Sequence, residues 1–82
     1  MATLTYFVAV PFLRLEDGFA AGQAVELPSA NAAIGRARTL SAQPQHAGAV
    51  AFSRTGDPSI GEFQDGVVLA KFGDVPEDLS EL

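Results

Sequence analysis

Cysteine is absent from this chain of 82 residues, which excludes disulfides, thiolate nucleophiles and cysteine-based zinc sites. A small secreted domain usually needs such staples, so a reducing cytoplasm is the expected compartment. Histidine is almost as scarce. His46 is the only imidazole, it stands beside Gln45, and no Cys or second His accompanies it. A lone histidine of this kind reads as a side chain leading into a strand rather than as a general base or metal ligand. Basic residues are few as well: five Lys and Arg against ten Asp and Glu leave a formal net charge of -5. That is the wrong sign for a phosphate backbone, where affinity comes from cations displacing counterions. Arg36 and Arg38 lie close together, but Arg14, Arg54 and Lys71 are scattered. Neither nucleic acid nor an anionic membrane is an expected partner. Long hydrophobic runs are missing too, since Pro11, Arg14 and Glu16 interrupt the first apolar stretch and no basic segment precedes it. Neither a signal peptide nor a bilayer span is expected.

The motifs that organise chemistry are equally thin. No GxxxxGK[ST] or GxGxxG run is present to cradle a phosphate. Asp57, Glu62 and Asp65 supply carboxylates without the alternating order that wraps a calcium ion. Ser29, Ser41, Ser53 and Ser59 lack the glycine context of a nucleophile elbow. No catalytic residue, metal ligand or cofactor is assigned, and a non-enzymatic protein is expected.

What the sequence does contain is a layout. Leu4 to Leu13 alternates Leu4, Tyr6, Val8, Val10 and Phe12 against Phe7, Ala9 and Leu13, with both sets apolar, as in a central strand. Pro11 lacks an amide proton and predicts a break or bulge in its pairing. After the turn at Glu16-Asp17-Gly18, residues 19–27 alternate with a small, weakly polar second face and are expected to form an edge strand. Pro28-Ser29 marks a stop and a helix cap. Ala30, Ala33, Ile34, Ala37, Leu40 and Ser41 then recur at helical spacing over 29–42. The stripe is narrow and alanine-rich, which suits close approach to a sheet, and Gly35 is read as marking a tight contact. Residues 47–54 and 66–73 form the remaining strands, joined by the polar segment 55–62, and the acidic tail 77–82 is expected to fray. The sum is a single α+β domain of ββαββ order, with a four-stranded, mainly antiparallel sheet and one helix on one face.

The run Ala51-Phe52-Ser53-Arg54-Thr55-Gly56-Asp57-Pro58, then Gly61-Glu62-Phe63, then Val67-Val68-Leu69-Ala70-Lys71-Phe72-Gly73-Asp74-Val75-Pro76, resembles a family of small bacterial hypothetical proteins. Tyr6-Phe7-Val8 and the helix from Ser29 to Leu40 fit the same likeness. The resemblance implies a small bacterial protein and carries no activity and no site residue.

Two candidate surfaces remain. Arg54, Thr55, Gly56 and Asp57 are candidate ligand-binding residues, offering a guanidinium, a hydroxyl and a backbone amide to a phosphate or carboxylate. The competing reading is a hairpin connection in which Arg54 pairs with Asp57 or Glu62. The stronger argument is one of coverage. One slender helix covers one side of a sheet, and the second side is then expected to present Phe7, Ala9 and Leu13 as an interface. At about 25 cal/mol per Å², hiding a few hundred Å² there contributes several kcal/mol before association costs. A domain of this length buries only about 60% of its unfolded surface, so the gain matters. A homodimer or a protein partner, through that face or the edge strand 19–27, is the expected solution. The alternative cover is the chain's own segment 75–82.

Overall fold

The computed structural model describes residues 3–64 and 66–76. Strand β1 (Leu4–Leu15) turns into the short strands β2 (Gly18–Ala21) and β3 (Val25–Leu27), then come helix α1 (Ala30–Ser41), the long strand β4 (Gly48–Asp57), β5 (Glu62–Phe63) and β6 (Val67–Gly73). All pair antiparallel in one curled sheet. The six strands occupy four ranks: β2 and β3 both lie along β1, β1 lies along β4, and β5 and β6 both lie along β4. This is the expected α+β arrangement with each outer rank cut in two. The tail 77–82 lies outside the described residues.

The cut in the first outer rank traces to Pro11. Phe12 faces Ala21 and Ala9 faces Val25, so Val10 and Pro11 stand opposite three residues, Gly22, Gln23 and Ala24. A proline cannot donate to a neighbouring strand, and one extra residue on the partner absorbs the lost bond as a bulge. The contact that remains is the Gly22 amide donating to the Pro11 carbonyl at 2.8 Å. A side chain at position 22 would stand 3.0 Å from the Pro11 ring. The single edge strand expected over 19–27 is therefore two pieces, while β1 itself runs past Pro11 to Leu15. The second outer rank breaks around residues 64–66, and Leu69 bulges out of register between the Ala51–Ala70 and Phe52–Val68 pairs.

Helix α1 starts where Pro28-Ser29 places it: the Ala32 amide donates to Ser29 Oγ at 3.1 Å, satisfying one of the first-turn amides. At its far end His46 Nδ1 lies 2.8 Å from the Leu40 carbonyl oxygen, so the ring caps the last turn. The helix touches the sheet through alanine. Ala33 and Ala37 are fully buried against Ala9, Ala49 and Ala51, with Phe7, Leu27, Ile34, Leu40, Leu69, Ala70 and Phe72 packed around them. A second cluster on the opposite side of the sheet joins Val10, Phe12, Val50 and Phe52, flanked by Val8, Phe19 and Val75.

This arrangement corrects the expected interface. Phe7 and Ala9 lie beneath the helix, and Leu13, opposite Ala20, shares their side of β1 by alternation. The side without a helix carries Leu4, Tyr6, Val8, Val10 and Phe12. The physical reason is size, since a helix presenting only methyl groups docks closest where the sheet also presents them.

Gly35 does not sit at the contact. A methyl group added there meets nothing within 4 Å. Gly35→Ala is therefore expected to raise stability by about 0.5–1 kcal/mol through helix propensity alone. Ala37→Leu is expected to lower it by about 1–3 kcal/mol by overpacking the alanine seam. Thermal unfolding of both variants checks the opposite signs.

Candidate functional site

The four residues Arg54 to Asp57 are strand residues, because β4 runs through Asp57. Alternation then sends neighbouring side chains to opposite sides. Arg54 shares the helix-free side with its cross-strand partner Tyr6, whereas Thr55 pairs with Thr5 on the other side, their hydroxyls 2.9 Å apart. Asp57 is 7% exposed, and its Oδ1 accepts from the Ser59 amide at 2.9 Å and the Ser59 hydroxyl at 2.6 Å, closing the turn that follows. A carboxylate held this way beside Gly56 repels an anion. The structure thus brings Thr55 to Thr5 and Asp57 to Ser59, and does not aim Arg54 and Thr55 at a common point. Arg54 forms no ion pair with Asp57 or Glu62. Its guanidinium lies over the Phe52 ring, 5.8 Å from the centroid, and its Nε is buried without a hydrogen-bond partner.

Gly56 has a different use. Phe63 faces it across the β4–β5 ladder, and a Cβ at position 56 would overlap both the Phe63 ring and the Glu62 carbonyl. The missing side chain lets the Phe63 ring lie flat over the strand, where it meets Tyr6 at a centroid distance of 6.0 Å, tilted by 47°. Leu4, which also faces Gly56, is 48% exposed, Phe63 47% and Val68 42%. Leu4, Tyr6, Arg54, Phe63 and Val68 therefore form an apolar and aromatic patch centred on a guanidinium, at one end of the helix-free side. Aromatic residues and arginine in one place are the composition of an interface core. Beside this patch a cavity of about 270 Å³ opens between Thr3, Asp57, Ile60, Glu62 and Phe63.

At the other end of the same side the sheet curls over itself. Phe19 from β2 and Val75 after β6 pack onto the buried cluster, and Val50 at its centre is 0% exposed. Arg14 makes an ion pair with Asp74 and stacks over Phe19 at 5.2 Å. These groups, with Lys71, Gly73 and Pro76, line an open cleft of about 430 Å³. Both partners of the pair are well exposed, so it contributes little to stability.

Among the described residues no three metal-ligating side chains come together, and no helix is long and apolar enough to cross a membrane. Asp65, one of the three carboxylates weighed in the sequence, lies outside the described residues. No family model, curated protein or solved structure matches the chain.

The patch was not assembled from sequence because Phe63 and Leu4 are far apart along the chain and meet only through Gly56. A glycine facing an aromatic residue across the adjoining hairpin is the one local signal, and it needs the register to be read. Gly56→Val is expected to displace the Phe63 ring and open the β4–β5 hairpin. The Gln64 amide, which donates to the Thr55 carbonyl at 2.8 Å, would then exchange its proton faster than in the parent, while amides in α1 keep their protection. Unchanged exchange at Gln64 would show that the ring does not depend on the glycine.

Proposed function

We propose that this chain is a small, non-enzymatic protein-interaction or oligomerisation module of the cytoplasm, belonging to the small bacterial proteins that its sequence resembles. It works through the exposed end of its helix-free sheet face. The observation that carries this reading is the clustering of Leu4, Phe63 and Val68, each more than two-fifths exposed, around Tyr6 and Arg54 on one side of one sheet. Isolated exposed hydrophobic residues are ordinary, whereas a contiguous patch built on rigid strands favours a partner.

Strand addition is the poorer mode. The first outer rank is interrupted at residues 22–24 and the second around 64–66, with a further bulge at Leu69 and a charge at Lys71. Short, bulged and charged edges are how sheets avoid pairing edge to edge. The face is left as the surface of association. Anion binding by Arg54, Thr55, Gly56 and Asp57 gains no support from side chains that diverge, and nucleic acid remains disfavoured by the net charge of -5.

The test is a variant carrying Phe63→Ser and Val68→Ser. Both side chains are already exposed, so folding should change by under about 1 kcal/mol. Sedimentation over a rising concentration series should show the parent exceeding the 8.5 kDa monomer mass and the variant holding at it. Identical profiles for the two proteins would remove the patch as a surface of association.

A further inference from the structure

The geometry points to a particular occupant for this face: a second copy of the chain, related by a two-fold axis parallel to β1, with Arg54 of each copy meeting Glu26 of the other. The inference rests on reading the face as an interaction surface and adds the partner and the contact that selects it.

Cross-strand register supplies the placement. Val8 on β1 faces Glu26 on β3 and Phe52 on β4, while Tyr6 faces Arg54 on β4. Cross-strand partners share a face, and Val8 and Phe52 belong to the helix-free cluster. Glu26 and Arg54 therefore stand on that same side, one rank to either side of β1, about 5 Å away in each direction. They are offset by two residues along the strand, about 7 Å, within the reach of an arginine side chain. Opposite charges flanking a central strand make the surface self-complementary. A two-fold axis along β1 lays the β4 side of one copy over the β3 side of the other, so both Arg54–Glu26 contacts form at once.

Three further observations favour this occupant. The Arg54 guanidinium is stacked on Phe52, which carries its charge along the strand toward the level of Val8 and Glu26. Among the described residues the only ion pair is Arg14–Asp74, and neither Arg54 nor Glu26 pairs with another described side chain. The molecule is also thin. Its shortest extent is 17 Å, room for the sheet and the helix about 10 Å apart, and among the described residues no element forms a third layer, so a second sheet can approach the face. The exposed Leu4, Phe63 and Val68 surround the paired charges and exclude water from them. The contact offers only three strongly exposed apolar side chains, Leu4, Phe63 and Val68, which places the pairing in the weak class.

The test is charge reversal followed by mixing. Arg54→Glu alone sets glutamate against glutamate at both contacts, and Glu26→Arg alone sets arginine against arginine. Each variant alone is expected to raise the dimer Kd at least tenfold, read by low-salt sedimentation over protein concentrations of about 10 µM to about 1 mM, the range of a weak interface. An equimolar mixture of the two restores association to within about threefold of the parent, because every contact in the mixed dimer again joins opposite charges. Circular dichroism verifies that each variant folds. Should Arg54→Glu fail that control, Glu26→Arg, at an exposed position, still has to weaken the dimer at least tenfold. A parent that stays at 8.5 kDa throughout overturns the inference, as does a mixture no more associated than its components. If the Phe63→Ser and Val68→Ser changes abolish association while the charge reversals leave it intact, the face still associates and the two-fold Arg54–Glu26 contact is wrong.

Discussion

The contact on which the rest of the structure depends is the alanine seam between α1 and the two central strands. Ala33 and Ala37 meet Ala9, Ala49 and Ala51 with no exposed surface left on any of them. Methyl groups on both sides bring the helix close to the sheet, and the larger residues Phe7, Leu27, Ile34, Leu40, Leu69 and Phe72 close the rim. This seam fixes the polarity of the molecule. By occupying the side of β1 that carries Phe7 and Ala9, the helix leaves Leu4, Tyr6 and Val8 on the side without a second layer. Every functional argument about this protein follows from that choice of side.

Much of the architecture was legible because local chemistry and global fold agree. Ser29 follows Pro28 and caps the helix, and the two-sided apolar alternation of Leu4 to Leu13 marks a strand at the centre of a sheet. Pro11 announced a disturbance, though its effect falls on the facing strand rather than on its own. The polar run 55–62 read as a loop because Thr, Gly, Asp and Pro are turn formers, yet β4 extends to Asp57. Pairing of Thr5 with Thr55 and of Leu4 with Gly56 outweighs local propensity there. The choice of covered side was less legible. Ala49 and Ala51 alternate with Val50 and Phe52 and the helix stripe is alanine-rich, whereas Ala9 stands between Phe7 and Leu13, so the seam is only partly visible in the separate elements. Joining them requires matching side-chain size across elements, which hydrophobic periodicity alone does not report.

The candidate site was the least legible part, and for a related reason. Arg54, Thr55, Gly56 and Asp57 are contiguous in sequence, and contiguity suggests a common site only in a loop. On a strand it guarantees divergence, because successive side chains leave on opposite sides. The residues that do converge, Leu4, Tyr6, Arg54, Phe63 and Val68, come from four strands and are united by register.

The helix-free side is covered unevenly along its length. Along β1 and β4 the same alternation places Leu4, Tyr6, Val8, Val10, Phe12, Val50 and Phe52 on this side, yet their exposure differs widely. Near Phe12 and Val50 the curl of the sheet brings Phe19 and Val75 over the cluster, and the chain closes that end by itself. Toward Leu4 and Gly56 nothing comparable is brought over among the described residues, since β2 ends at the level of Phe12 and β5 contributes only Glu62 and Phe63. A chain of 82 residues has limited material with which to build a second layer, and burial is correspondingly incomplete. The half of the face that the chain can roof serves stability. The half left open among the described residues keeps Leu4, Phe63 and Val68 partly in water around the Arg54 guanidinium, and surface of that composition is what an interface core uses.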